Sequence, residues 1–375
     1  MTRLYGNILT ERGWQHGHLL FDGERIVGID ASPADPAGND DPYLLPGFID
    51  LHVHGGDGAD VMDGAEALAR VARKHAGHGT TALLATTVCA DDALLRALLP
   101  QLGNVCRQRP VGAAEVLGIH LEGPYVSPHS LGALPDETRA ATLAEVDRYR
   151  ALAPVRVITL APEIPGHDTL IGELVQRGIR VQLGHGQGSY EAAVAALAQG
   201  AAGFTHLFNA MSPLHHRAPG MVGAALAHAE FSELIPDLIH VHPGAMRAAL
   251  RAIPRLYCVT DATSLAGLPD GQYGDGPRAV HKCLGGVRLA DGRLAGSALT
   301  MDQALRNLVG IGLTLAGASA CLSRNPADYL GLSERGRLAV DAVADVVQFD
   351  RALCLRGVWV AGEAVTPVAK GAPAG

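Results

Sequence analysis

Both ends of the chain carry short apolar runs separated by turn residues, a pattern typical of β-strands. Near the start, Asp22 and Gly23 stand between two such runs, and Asp-Gly in this position is a hairpin signal. The predicted terminal strands are 17–21, 25–29, 343–349, 356–360 and 363–365. We expect the two sets to pair with each other in a small β-sandwich domain made of residues 1–43 and 341–375.

The central part of the chain alternates apolar strand patterns with helical segments of about ten to fifteen residues, which indicates β-α units and a parallel sheet. Asp63, Asp168 and Ser189 are predicted to cap three of the helices. The predicted strands are 44–51, 81–85, 116–120, 155–160, 179–183, 203–206, 238–241 and 256–260. About eight strands close a barrel. The predicted fold class is therefore α/β, with a (β/α)8 TIM-like barrel over residues 44–340.

Charge and composition limit the kinds of molecule that the protein is expected to bind. The 375 residues carry a formal net charge of −8, so the chain has no global attraction to nucleic acid or to an anionic membrane. A small anionic substrate stays compatible with this charge, because a local pocket can oppose the global sign. No stretch reaches about 18 consecutive apolar residues, and we expect no membrane span. The six cysteines form no Cys-x-x-Cys pair, which favours reduced thiols and a cytoplasmic protein.

Metal-capable side chains follow several predicted strands at their C-terminal ends, where barrels of this kind place their active sites. Side chains two apart on a strand share a face, so His52 and His54 can bind one ion together. One histidine among 17 is more often an ordinary surface residue, but several at successive strand ends are harder to explain in that way. The candidate ligands are His52, His54, Glu122, His185 and His206. Imidazoles with a carboxylate suit one or two divalent ions per subunit, zinc or iron(II).

Asp261 follows the last predicted barrel strand, and two roles are compatible with this position. An acid in this position often caps the next helix. Beside a metal it has a chemical role, since a divalent ion lowers the pKa of bound water from about 16 to about 7. A nearby carboxylate can then accept a proton and pass it to a leaving amine. This set predicts a hydrolase, and the residues alone leave amide, cyclic amide, ester and phosphoester bonds open.

Seven motifs occur in the order seen in N-acetylglucosamine-6-phosphate deacetylases, which are amidohydrolases. They are PGFIDLHVHGG at 46–56, HLEGPY at 120–125, APE at 161–163, GH at 184–185, THLFNAM at 205–211, VTDA at 259–262 and GSALTM at 296–301. Each motif alone is weak evidence of a relationship, but the ordered set is specific to this family. The chain resembles the family over essentially its whole length. The resemblance implies removal of the acetyl group from an N-acetylated amino-sugar 6-phosphate.

The resemblance also implies residue roles. Glu122, His185 and His206 would hold the principal metal, with His52 and His54 holding a second ion and Asp261 acting as general acid/base. The implied substrate-binding residues are Ala133, Leu134, Asn209, Ala210, Arg217, His240, Leu294, Ala295 and Gly296. Among these, Arg217 and His240 would contact the phosphate. The resemblance further implies a homodimer, in which His240 is expected to reach the substrate of the neighbouring subunit.

Two departures from the family pattern leave the substrate open. Leu134 stands where the family has a histidine near the reacting carbonyl; a second metal or His129 could replace it. Leu238 stands where the family has glycine, which could close part of the pocket. The first alternative is therefore an amidohydrolase acting on another N-acyl amino sugar or an N-acyl amino acid. The second is a catalytically silent scaffold that binds a sugar phosphate, although the intact metal set argues against it.

Overall fold

The computed structural model describes residues 1–274 and 279–368, so the last residues of the predicted small domain, 369–375, lie outside the described part. The strands of that part are β1 Thr2–Thr10, β2 Gly13–Asp22, β3 Arg25–Pro33, β4 Tyr43–Pro46, β5 Phe48–Val53, β6 Gly55–Gly56, β7 Ala59–Asp60, β8 Thr80–Thr87, β9 Glu115–Glu122, β10 Val155–Leu160, β11 Arg180–Leu183, β12 Gly203–Phe204, β13 Glu233–Leu234, β14 Tyr257–Cys258, β15 Gly271–Tyr273, β16 Val280–Cys283, β17 Gly286–Leu289, β18 Leu294–Ser297, β19 Val346–Phe349, β20 Leu355–Val360 and β21 Glu363–Val365. The helices are α1 Ala65–Ala76, α2 Asp92–Arg107, α3 Leu143–Leu152, α4 His167–Gln176, α5 Tyr190–Ala198, α6 Gly220–His228, α7 Pro243–Ala252, α8 Met301–Gly310, α9 Leu315–Leu322 and α10 Arg324–Leu330.

Eight parallel strands form the predicted barrel. Six of them pair in the order β5-β8-β9-β10-β11-β12, and β13 pairs with β14. Backbone hydrogen bonds join these two pieces, from the Leu207 N–H to the Glu233 carbonyl at 2.9 Å and from the Asp261 N–H to the His52 carbonyl at 2.9 Å. The strands are almost wholly buried, as expected for a parallel sheet covered by helices. The α/β barrel fold is confirmed.

Two predicted strands are placed wrongly. The run 44–51 is two strands that break at Gly47: β4 joins the sheet of the terminal strands, and only β5 enters the barrel. The seventh barrel strand is β13, and residues 238–241 form no strand. The segment 238–241 was predicted as the strand because its apolar run is longer than that of β13. Strand β13 contributes only two residues, one of them a glutamate, and so lacks the usual pattern of a strand.

The terminal strands pair with each other as predicted, in one seven-stranded sheet with the order β21-β20-β19-β4-β1-β2-β3. Its two ends approach across a separate apolar cluster, where the rings of Phe21 and Trp359 lie 6.3 Å apart. The residue limits of the two domains stay a prediction. Ser189 caps α5 as expected, whereas glycines precede α1 and α4 in place of the predicted Asp63 and Asp168 caps.

A four-stranded antiparallel sheet, β15 to β18, is inserted after the last barrel strand, and the sequence analysis did not predict it. It packs on a small apolar cluster that includes Leu265, Val287 and Ala295. Its last strand returns to the barrel, since Ser297 bridges Ala262 beside β5. The insertion therefore stands over the C-terminal end of the barrel. Among the described residues, none of the helices has the length and apolar character needed to span a bilayer.

Candidate metal centre and active site

The five predicted metal ligands meet at the C-terminal end of the barrel. His52 lies in β5 and His54 directly follows it, Glu122 is the last residue of β9, and His185 and His206 follow β11 and β12. All five are buried. The Nε2 atom of His54 lies 3.0 Å from Glu122 Oε2, and the Nε2 atoms of His185 and His206 lie 3.1 and 3.0 Å from Glu122 Oε1. Four separate strands thus bring their ligand atoms to one point.

Glu122 is shared by two groups of possible ligand atoms. One group consists of Glu122, His185 and His206, and the other of Glu122, His52 and His54. Each group offers imidazole nitrogens and one carboxylate oxygen, a donor set that suits zinc or iron(II) and leaves positions open for water. The donor set therefore fits one or two divalent ions.

Glu233 is a site residue that the sequence analysis missed. Its Oε1 atom accepts a hydrogen bond from His52 Nδ1 at 2.7 Å and another from the His206 backbone N–H at 2.9 Å. A carboxylate behind a ligand histidine fixes its tautomer and its ring orientation. Here the contact turns Nε2 of His52 towards Glu122. Glu233 was not considered because the seventh barrel strand was predicted at 238–241. A glutamate in a fully buried barrel strand would have indicated a functional residue.

His120 also lies close to His52 and Glu233, and these three could in principle hold an ion. However, both nitrogens of His120 already have protein partners, Leu51 O at 3.1 Å and Thr159 Oγ1 at 2.7 Å. His52 and Glu233 are likewise joined by their own hydrogen bond. His120 and Glu233 therefore hold His52 in position and are not assigned as metal ligands.

Asp261 approaches Nε2 of His52, whereas Glu233 binds the other ring nitrogen, Nδ1. The Oδ1 atom of Asp261 is 3.4 Å from His54 Nε2 and 3.6 Å from His52 Nε2. Burial favours the neutral acid, but the imidazoles of His52 and His54 outweigh it and lower the pKa of Asp261. The side chain lines the cavity and can therefore accept a proton from a molecule bound there.

The same electrostatic balance holds across the cluster. Burial would raise the pKa of Glu122, yet the charge of His52 and hydrogen bonds from His185 and His206 hold it well below its usual range. Burial would lower the pKa of His54, but its contacts with Asp261 and Glu122 raise it to about 9. The carboxylates of Glu122, Glu233 and Asp261 thus create a negative electrostatic potential that strongly favours the binding of protons or of a divalent cation.

Three of these residues have a left-handed backbone that non-glycine residues rarely adopt. The φ angles are 46° at His185, 29° at His206 and 50° at Asp261. Each residue comes just after a short barrel strand, where the chain turns sharply out of the sheet. Such conformations cost of the order of 1–3 kcal/mol each and cluster at functional sites. The surrounding barrel must therefore hold these three side chains in place.

A cavity of about 940 Å³ opens above the cluster. Of the residues predicted to bind substrate, those that line it are Ala133, Leu134, Asn209, Ala210, His240, Leu294, Ala295 and Gly296. Arg217 is exposed and does not line it. His240, expected to serve a neighbouring subunit, lines the cavity of its own chain, where Asp237 Oδ2 binds its Nδ1 at 2.6 Å.

The two departures from the family pattern have different outcomes. Leu134 lines the cavity, together with His129. Leu238 does not close the pocket: its side chain is 40% exposed and lies outside the lining, so that expectation was wrong. Its φ of 66° keeps the left-handed conformation that a glycine would adopt freely.

Comparisons with known proteins agree with this geometry. Residues 43–365 match the amidohydrolase family. An N-acetylgalactosamine-6-phosphate deacetylase of Escherichia coli O157:H7 is 40% identical over 95% of this chain and 97% of its own length. An N-acetylglucosamine-6-phosphate deacetylase of Vibrio furnissii is 38% identical over 92% of this chain and 86% of its own.

Two solved structures have the same fold. The N-acetylglucosamine-6-phosphate deacetylase of Thermotoga maritima superposes with a TM-score of 0.89 at 30% identity, over 98% of this chain and 100% of that one. A mutant of the Mycobacterium smegmatis deacetylase in complex with N-acetylglucosamine 6-phosphate superposes with a TM-score of 0.88 at 32% identity, over 97% and 98%. The chain belongs to the N-acetylglucosamine-6-phosphate deacetylase family of the amidohydrolase superfamily.

Proposed function

We propose that this protein hydrolyses the N-acetyl group of N-acetylglucosamine 6-phosphate, or of a close amino-sugar phosphate, to acetate and the free amine. The observation that carries the proposal is the ligand cluster around Glu122, with the Asp261 carboxylate beside it in the cavity. The family relationship supplies the reaction class, and the relatives act on sugars of this type according to their names.

Glu122, His185 and His206 would hold the principal ion, and His52 and His54 a second one, with zinc or iron(II) as the metal. A divalent ion in this position supplies a Lewis acid that polarises the amide carbonyl and acidifies water. Glu233 keeps Nε2 of His52 aimed at the site through its 2.7 Å hydrogen bond to Nδ1. Burial of all these groups excludes bulk water and strengthens their electrostatic effect.

Asp261 would act as the general acid/base. Its carboxylate is held ionised by His52 and His54, so it can take the proton of the attacking water. As the carbon–nitrogen bond breaks, the same proton passes to the departing nitrogen, which leaves as the neutral amine. Acetate and the amino-sugar phosphate are then the products. One carboxylate thus serves both halves of the reaction.

The assignment of the substrate-binding residues rests on the cavity. Asn209, Ala210 and His240 line one part of it, and Leu294, Ala295 and Gly296 another. We propose a homodimer, in which Arg217, outside the cavity of its own chain, would be available to a second copy. We also propose a cytoplasmic location, for which the six unpaired cysteines are the support.

The decisive experiment measures acetate release from N-acetylglucosamine 6-phosphate by protein loaded with zinc or iron(II), with chelator-treated protein alongside. We expect turnover with metal and little without it. Asp261→Asn keeps the shape but removes the base, and its turnover should fall by about 100-fold or more. Asp57→Asn, an exposed carboxylate paired with Arg70, is the matched control and should behave as the unchanged protein. Metal-loaded protein without turnover would overturn the proposed substrate.

A second candidate substrate is the 4-epimer, N-acetylgalactosamine 6-phosphate. It is favoured by the E. coli relative, named for that sugar, which is 40% identical. Comparing kcat/KM for the two epimers, at one metal loading, decides between them. A larger value for the galacto sugar would assign this second substrate while leaving the chemistry unchanged.

A further inference from the structure

The turn after barrel strand β10 contains a carboxylate to which no role has been assigned so far. Strands β9, β11 and β12 supply or directly precede a proposed metal ligand, whereas β10, between β9 and β11, is followed by the motif 161–163, which ends in Glu163. Glu163 is exposed and lies outside the lining of the cavity. It thus stands at the end of the barrel that carries the ligands, beside the site and not within it.

The carboxylate of Glu163 lies against the segment that follows the ligand His185. Its Oε1 atom accepts a hydrogen bond from the Gln187 backbone N–H at 2.5 Å. A Cβ built at Gly186 would lie only 2.6 Å from its Oε2 atom. The carboxylate can therefore approach the backbone this closely because residue 186 has no side chain.

Gln187 extends this contact into the cavity. Its side chain lines the cavity and donates from Nε2 to Ser130 Oγ at 2.6 Å. Ser130 is buried, and its carbonyl oxygen lies 2.8 Å from Nδ1 of His185. A carbonyl can only accept, so Nδ1 carries the ring proton and Nε2 keeps the lone pair that binds a metal. Gln187 thus connects Glu163 with the residue that sets the tautomer of a metal ligand.

His185 needs support because its backbone is strained. Its φ of 46° is a left-handed conformation that persists only where the surrounding structure holds it. On one side, the Ser127 N–H donates to the His185 carbonyl at 2.9 Å. On the other side, two residues along the chain, the Gln187 N–H has a carboxylate as its acceptor. Hydrogen bonds to a charged acceptor are about twice as strong as neutral ones, so Glu163 makes a strong contact close to the strained residue.

We propose that Glu163 is a positioning residue of the active site, an inference that rests on the proposed function. It holds the backbone of Gln187 so that the Gln187 side chain reaches Ser130, and Ser130 in turn fixes Nδ1 of His185. Loss of the carboxylate should weaken metal binding and lower kcat, with a smaller effect on KM because Glu163 lies outside the cavity lining. A merely structural role would lower the stability of the fold and leave the zinc affinity of the folded protein unchanged.

The test measures zinc affinity by competition with a fluorescent chelator, and kcat and KM for acetate release from N-acetylglucosamine 6-phosphate. For Glu163→Ala we expect about 10-fold weaker zinc binding and about 10-fold lower kcat, with KM within about 3-fold. Glu163→Gln keeps an oxygen acceptor for the Gln187 N–H and should recover part of both losses. Glu173→Ala removes an exposed carboxylate of α4, the helix that follows β10, and as the matched control should change neither value.

A double-mutant cycle tests the connection through the Gln187 side chain. Gln187→Ala removes the bond to Ser130 and leaves the backbone N–H available to Glu163. If Glu163 acts through this side chain, Glu163→Ala in the Gln187→Ala background should weaken zinc binding by less than about 2-fold further. Losses that multiply in the double variant would overturn the inference, because the two residues would then act independently.

The inference is also overturned if Glu163→Ala leaves zinc affinity and kcat unchanged, whether or not its urea midpoint falls. Failure of the proposed function is visible separately, since the unchanged protein would then release no acetate. The zinc affinities are measured without substrate, so they test the role of Glu163 in that case as well.

Discussion

At the scale of single residues, the geometry of the site depends on a buried group outside the cavity lining and on backbone conformation. Glu233 accepts from His52 Nδ1 and from the His206 backbone, so one buried carboxylate orients two ligand positions. His185, His206 and Asp261 also keep a strained left-handed backbone. Side-chain direction at the site is thus set by buried partners and by backbone geometry, at some cost in conformational energy.

The first prediction concerns Glu233. Glu233→Gln retains an oxygen acceptor but removes the charge that holds the His52 tautomer. Metal affinity should fall by about 10- to 100-fold, which competition with a fluorescent chelator would measure. Glu230→Gln, three residues earlier and on the surface, is the control. Equal metal affinity in the two variants would show that Glu233 plays no part in orienting the ligands.

At the scale of elements, short strands and the turns that follow them carry most of the function. Strands β11, β12, β13 and β14 have only two to four residues, yet His185, His206, Glu233 and Asp261 belong to them or to the turns just after them. Helices outside the barrel must then hold the strand ends in position. A contact of this kind fixes the segment before β8 to the start of α8, where Asp302 binds His78 Nδ1 at 3.1 Å, Arg306 at 2.7 Å and Thr300 at 2.6 Å.

The second prediction is a pH dependence of stability at this contact. Burial opposes ionisation of Asp302, but His78, Arg306 and Thr300 hold its pKa well below the ordinary value. A carboxyl with a depressed folded-state pKa stabilises the fold above its unfolded pKa of about 4, and this stabilisation is lost as the pH falls. Asp302→Asn should therefore cost about 2 kcal/mol at pH 7, and the difference should shrink steadily below pH 4.

Urea denaturation of both proteins between pH 3 and pH 7 measures this difference. Asp147→Asn, a surface carboxylate paired with Arg177, should cost less than about 1 kcal/mol throughout. A cost for Asp302→Asn that stays constant down to pH 3 would contradict the assignment.

At the scale of the whole molecule, the barrel and the terminal sheet are joined by a charge network in which Asp345 is buried, Arg335 is largely buried and Glu115 is half-buried. Arg335 binds Asp345, next to the terminal sheet, and Glu115, at the start of barrel strand β9. Asp345 also accepts a hydrogen bond from the Ala361 N–H at 2.8 Å. Burial raises the pKa of Asp345 although Arg335 opposes this change, which shows how far the pair is removed from water.

The third prediction follows from that burial. Arg335→Met leaves Asp345 unpaired in the interior, and the free energy of unfolding should fall by about 3–5 kcal/mol. Arg255→Met removes a side chain that is 46% exposed and pairs with the exposed Glu230 and the half-buried Asp328, and it should cost less than about 1 kcal/mol. Adding Asp345→Asn should recover part of the loss, because the unpaired charge is then gone. Equal urea midpoints for the two arginine variants would refute the network's role.

The sequence by itself determined the barrel, the pairing of the terminal strands and the candidate metal ligands, because these depend on hydrophobic period and on which residue types end the strands. The position of β13 and of its Glu233 required the structure, since a two-residue strand carries too little pattern to be recognised. The same holds for the inserted sheet β15 to β18, for the exclusion of Arg217 from the cavity and for the outward direction of Leu238. These features depend on how distant segments pack, and local sequence preferences do not encode that packing.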